Sequence, residues 1–133
     1  MSATGDARGF TLIEMLVVLA IAGLIGGIVF PRLQAATARA EAQATISGVA
    51  AALRTARAAA RLRGVPVAFL NTDASYGVGA AALTVPGSVR IDGPGRILFY
   101  ADGTSSGGQV AVRGRGAAIR FAVSPVTGLA SVS

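Results

Sequence analysis

The sequence predicts an α+β protein: one long N-terminal helix, its first half transmembrane, packed through its second half against a small antiparallel β-sheet head. Three observations lead there. An apolar run, FTLIEMLVVLAIAGLIGGIVF, fills residues 10–30. An uninterrupted Ala- and Arg-rich stretch follows as far as Gly64-Val65-Pro66. Beyond it, short apolar runs alternate with clusters of Gly, Pro, Asp and Ser.

Composition narrows the function classes before any motif is read. A chain of 133 residues has the size of one ordinary domain, so one modest core is expected after the N-terminal segment. Cysteine and histidine are absent, which removes disulfides, thiolate or imidazole metal sites, and every catalytic scheme built on either residue. Lysine is absent too, so there is no phosphate-loop lysine and no Schiff base. All 12 basic residues are Arg, against 6 acidic ones. The net charge of +6 favours acidic headgroups or nucleic acid, and serves an ordinary solvated surface equally well. After the leader the acids are Glu14, Glu41, Asp73, Asp92 and Asp102, in no spacing that predicts convergence, and each Asp sits among turn residues where it caps backbone. No enzyme activity, cofactor or metal is expected.

Residues 1–9, MSATGDARG, form a polar leader before the apolar run. Arg8 beside the run favours keeping the leader on the cytoplasmic side. A conventional secretory signal places its small-residue cleavage site after the apolar stretch, and Ile25-Gly26-Gly27 fits that only loosely. The leader instead ends in Gly9, directly before Phe10. Residues 10–30 are long enough to cross a bilayer core as a helix, with Glu14 as the sole charge.

Glu14 requires a partner or an exit to water, because an ionised carboxylate in hydrocarbon costs about 3 kcal/mol even on lenient insertion scales. It can lie near the helix end and reach the headgroups. Alternatively it pairs with a free amine created at Phe10, four residues or one helical turn away, in the same chain or in a neighbouring subunit.

Residues 31–64 extend the helix, for about 80 Å in all when read from Phe10 to Arg63. Ile46, Val49, Ala50, Leu53, Ala56 and Ala60 recur at helical spacing as a stripe toward the head, with Arg39, Glu41, Arg54 and Arg57 largely elsewhere. Pro31 lacks a backbone donor and predicts a helix break there. Gly23, Gly26 and Gly27 weaken the same region, and serve either local melting or close helix packing in the membrane.

The head, residues 65–133, is expected to place strands at 67–70, 97–100, 109–113 and 118–123. Val110 and Val112, then Ile119, Phe121 and Val123, alternate onto one face, with Arg113 and Arg120 on the other. Arg113-Gly114-Arg115-Gly116 joins two antiparallel strands. The run 99–108 superficially suggests a phosphate cradle, but no helix with a basic residue follows it, and a loop between strands is the reading adopted.

The N-terminal residues carry a family resemblance. Gly9-Phe10-Thr11-Leu12-Ile13-Glu14, the apolar run and Pro31 closing it resemble the class III signal of type IV pilins and pseudopilins. The resemblance implies that a prepilin peptidase cuts between Gly9 and Phe10 and methylates the new Phe10 amine, and that Glu14 recruits and registers subunits during assembly. The loop after Phe99, flanked by apolar strands, is similar to the minor pseudopilin H family of type II secretion, which groups with FimT-like minor pilins. That resemblance implies a single-pass protein of the bacterial inner membrane with a periplasmic head. Its partners would be sibling pseudopilins, the prepilin peptidase and the inner-membrane secretion platform. The expected role is an initiating or tip subunit of a periplasmic pseudopilus that exports folded proteins. The alternative is a FimT-like pilin that binds DNA for natural transformation through Arg113, Arg115 and Arg120. Such relatives carry a Gly-Arg-x-Arg element near the C-terminus, and here Gly128-Leu129-Ala130-Ser131 stands in its place, so nucleic acid is not the expected partner.

Overall fold

A computed structural model describes residues 9–133. The leader up to Arg8 therefore lies outside the described residues. The chain divides into two compact units, one ending at Gln34 and the other running from Ala35 to Ser133.

A single helix, α1, spans Leu12–Arg63. It starts two residues later than expected, and the reason is local. The Thr11 hydroxyl accepts the Glu14 backbone N–H at 3.3 Å, and the Thr11 carbonyl accepts Glu14 and Met15 N–H at 3.1 and 3.2 Å. Thr11 is thus the N-cap, and Thr11-Leu12-Ile13-Glu14 has the spacing of a capping box, with Glu14 at the third helical position. Phe10 stands outside the helix, so the one-turn spacing between Phe10 and Glu14 does not hold in the uncut chain. The predicted break at Pro31 is also corrected, because α1 continues through it. Proline there removes one hydrogen bond from the ladder, to the carbonyl of Gly27, and the ladder on either side persists.

Within the second unit, α1 buries Ala42, Thr45, Ile46, Val49, Leu53, Ala56 and Ala60. The expected stripe is present, with Ala50 half-buried and Ala42 and Thr45 extending it toward the N-terminus. Thr45 is tolerated there because its hydroxyl donates to the Glu41 carbonyl at 2.9 Å.

The head contains eight strands in two antiparallel sheets. The first comprises β1 (Val67–Asn71), β2 (Ser75–Val78), β3 (Ala81–Thr84) and β5 (Arg96–Phe99), in the order β3-β2-β1-β5. The second comprises β4 (Val89–Asp92), β6 (Gly108–Gly114), β7 (Ala117–Val123) and β8 (Ala130–Val132), in the order β4-β6-β7-β8. Inward residues of both sheets join the helix stripe in one core. Phe69, Ile97 and Phe99 come from the first sheet; Val89, Ile91, Val110, Val112, Phe121 and Val123 come from the second. Ile119, expected in that set, is only half-buried. The Arg115-Gly116 turn joins β6 to β7, with Gly114 opposite Ala117 and Gly116 at φ 76°, a conformation that suits glycine.

Candidate functional site

The first unit presents a helix with almost nothing buried. Leu12, Ile13, Leu16, Leu19, Leu24 and Phe30 are all more than half exposed. This part of α1 is long and apolar enough to cross a membrane. Glu14 lies in its first turn, where the helix dipole favours a negative charge. Gly9 and Phe10 precede the cap, and Phe10 is 77% exposed. A Cβ placed at Gly9 would meet no atom within 4 Å. The Gly9-Phe10 peptide bond is therefore unobstructed by the described residues.

The head arginines are only partly brought together. Register places Arg113 opposite Arg90 on one side and Ala118 on the other, and places Arg120 opposite Ala111. Arg90, Arg113 and Arg120 therefore share the outer face of the second sheet, and Arg113 and Arg120 line a depression of about 220 Å³ there with Ala111 and Ala118. Arg115 sits apart in the turn. Arg113 is partly neutralised, its Nε 3.3 Å from Asp92 Oδ2, in a pair exposed enough that solvent screens most of its energy.

Two features escaped sequence reading. The first is the Thr11 cap, signalled by its Thr-x-x-Glu spacing. The second is a groove of about 340 Å³ between the last turns of α1 and the loop leading to β8, edged by Arg54, Arg57 and Arg61. Arg57, read as lying largely off the head-facing stripe, is half-buried and donates through Nε to the Thr127 carbonyl at 3.0 Å. The spacing of the three arginines by three and four residues was visible, but the loop facing them was not.

The 99–108 segment is a turn closed from within. Asp102 Oδ1 accepts the Thr104 N–H at 2.9 Å and hydroxyl at 2.7 Å, which keeps its carboxyl below the usual carboxylate range and closes the turn. No group of three or more acidic side chains able to hold a metal ion occurs among the described residues.

A capped, exposed apolar helix carrying one carboxylate, attached in sequence to a small two-sheet head, is the arrangement of a filament subunit with a membrane anchor. Comparison with known proteins agrees. Residues 5–30 match the prokaryotic N-terminal methylation motif. Two fimbrial proteins of Pseudomonas aeruginosa are each 33% identical over 126 residues, covering 90% of this chain and 78% of theirs. This chain belongs to the type IV pilin family. Among solved structures it is similar in fold to the type IV minor pilin FimU of Pseudomonas aeruginosa in two crystal forms. One match has a TM-score of 0.57 over 71% of this chain and 90% of that one, at 16% identity. The other has a TM-score of 0.53 over 68% and 91%, again at 16% identity. The family is structural: its members are processed by a prepilin peptidase and assemble with other pilins into filaments.

Proposed function

We propose that this chain is a minor subunit of a type IV pilus, anchored in the bacterial inner membrane until it is drawn into the filament. The observation that carries this reading is the 33% identity to fimbrial proteins over 90% of the chain, joined to an apolar helix that has no cover of its own in the first unit. Cleavage after Gly9 frees the Phe10 amine, which is then methylated. Glu14, costly in lipid, gains a cationic partner when that amine, its own or a neighbour's, comes within reach. The minor role is supported by the fold shared with FimU, a minor pilin.

A periplasmic pseudopilus for protein export is the second reading, favoured by the likeness of the loop after Phe99 to the pseudopilin H family. Nucleic acid is not proposed as a partner, since Arg113 is paired with Asp92 and the face it shares with Arg90 and Arg120 carries no aromatic for base stacking.

The test is a deletion strain complemented with the parent gene or with Glu14→Ala, scored for filaments sheared from the cell surface and for proteins in the medium. The pilus reading expects the parent gene to restore surface filaments, Glu14→Ala to fail, and export to stay unchanged. Lost export with normal filaments would overturn it in favour of the pseudopilus. Full restoration by Glu14→Ala would overturn the assembly role of that carboxylate.

A further inference from the structure

The groove beside the end of α1 is built like a binding site, and none of the described residues fills it. Arg54, Arg57 and Arg61 lie three and four residues apart and so share one face of the helix. The floor between them and the facing loop is aliphatic, made by Leu53, Ala58, Leu129 and Ala130. Leu129 is 57% exposed despite lying in this hollow.

The walls are fixed in place. Arg57 Nε is tied to the Thr127 carbonyl at 3.0 Å, which orients its guanidinium while leaving the two terminal nitrogens to other acceptors. The loop is closed by Gly128 N–H on the Ser124 carbonyl at 2.8 Å and Ser124 N–H on the Leu129 carbonyl at 3.0 Å. Gly128 itself, at φ 60°, is pressed so close that an added Cβ would stand 2.3 Å from the Gly103 carbonyl oxygen.

The charge is not balanced from within. Among the described residues the ion pair is Arg113 with Asp92, on a different face, and none of the three groove arginines has a carboxylate within bridging distance. Asp102 is adjacent in sequence to Gly103, which packs near Arg57 and Arg61, but its carboxylate is engaged by Thr104. Three like charges on one helix face repel, and an arriving carboxylate relieves that repulsion as it forms bidentate contacts.

We propose that this groove docks an acidic segment of another protein subunit, one that sets carboxylates against Arg54, Arg57 and Arg61 and an aliphatic side chain over Leu129. A peptide is favoured over nucleic acid because the floor is aliphatic, no aromatic lines it for base stacking, and a hollow of about 340 Å³ holds a few side chains and no backbone track. The proposal rests on the filament reading for the source of the partner, and on the groove alone for its chemistry.

The experiment uses the full chain in detergent micelles with labelled arginine side chains, following the Arg57 Nε–H resonance by NMR. The probes are acetyl-Leu-Asp-Leu-Glu-Leu-amide, its uncharged counterpart acetyl-Leu-Asn-Leu-Gln-Leu-amide, and a thymidine oligonucleotide. The acidic peptide is expected to shift the Arg57 resonance saturably, and the uncharged one to bind at least about tenfold more weakly. Arg54→Gln with Arg61→Gln, both on exposed positions that leave the fold intact, is expected to weaken the acidic peptide by about tenfold. Arg90→Gln with Arg120→Gln is expected to change it by less than about twofold. Equal binding of the two peptides, no shift with either, equal loss in both double variants, or tighter binding of the oligonucleotide would each overturn the proposal. Glu14→Ala separates this question from the filament reading: it is expected to abolish assembly and to leave peptide binding unchanged.

Discussion

Gly48 offers a sharp test of how α1 is seated on the head. It is half-buried in the middle of the helix, and the Tyr76 hydroxyl from β2 sits directly over it. A Cβ added there would lie 2.1 Å from Tyr76 Oη, 3.1 Å from Cζ and 3.3 Å from Cε2. Two opposed terms decide the outcome. Replacing a helical glycine by alanine is worth about 1 kcal/mol in backbone entropy and propensity. Overpacking a closed contact costs about 1 to 3 kcal/mol, and the upper part of that range applies, because Tyr76 is 4% exposed and its strand is held by β1 and β3. Gly48→Ala should therefore be destabilising by about 2 kcal/mol, or about 10 °C in Tm for a domain this small. Tyr76→Phe removes the atom at 2.1 Å and leaves Cζ at 3.1 Å, a contact relieved by a few tenths of an ångström. In the Tyr76→Phe background the same Gly48→Ala change should then be neutral or stabilising, giving a coupling of about 2 kcal/mol between the two sites. Thermal melts of the four full-length variants in one detergent, followed by near-ultraviolet circular dichroism, measure all the terms. The reasoning is refuted if Gly48→Ala is as stable as the parent, or if its cost is the same with and without the tyrosine hydroxyl.

Two further predictions follow from the head. Gly128→Ala places a Cβ at φ 60° against the Gly103 carbonyl oxygen and should cost at least about 2 kcal/mol, while broadening the Arg57 Nε–H signal as its loop shifts; a loss below about 0.5 kcal/mol would mean the loop yields freely. Burial raises the Tyr76 pKa above its ordinary value of 10.0, so the unfolded chain ionises first. Tyr76 therefore contributes stability that is present below pH 10.0 and is lost as pH rises through the folded value. Denaturation curves across that range should show a steeper loss for the parent than for Tyr76→Phe, and equal slopes would contradict it.

The parts legible in the sequence were those with long or strict periodicity. The helix and its stripe announce themselves over many turns, and β6 and β7, seven residues each, alternate clearly enough to be read with their turn. The strands β2, β3, β4 and β8 were not legible. They have three or four residues each; Gly77, Ala82 and Ser131 blur a period of two in β2, β3 and β8, and β4 alternates over only four residues, too few to stand out. Ser75-Tyr76-Gly77-Val78 reads as a turn until β1 and β3 are placed on either side of it. The N-terminal methylation motif at residues 5–30 was readable because its arrangement is local. The arginine groove was not, because half of it is the Ser124–Ala130 loop, whose position depends on Gly103 and on a hydrogen bond between residues 70 positions apart.

The core also explains how short strands hold a helix whose own contacts are largely alanine and glycine. Two close approaches bring the helix to the two sheets: Tyr76 of the first sheet stands on Gly48, and Gly114 of β6 lies so near Ala42 that an added Cβ would be 2.4 Å from the alanine Cβ. Both contacts work only because a side chain is missing or minimal on the helix or the strand. That geometry lets small strands reach a helix rich in alanine, so that Val110, Val112, Phe69 and Phe99 are fully buried together with Val49 and Leu53 of α1. The first unit follows the opposite rule. Its leucines, isoleucines and valines remain exposed, so their burial must come from lipid or from neighbouring chains. A chain that completes one core and leaves an apolar helix uncovered has solved its fold only in part, and in this family the filament supplies the rest.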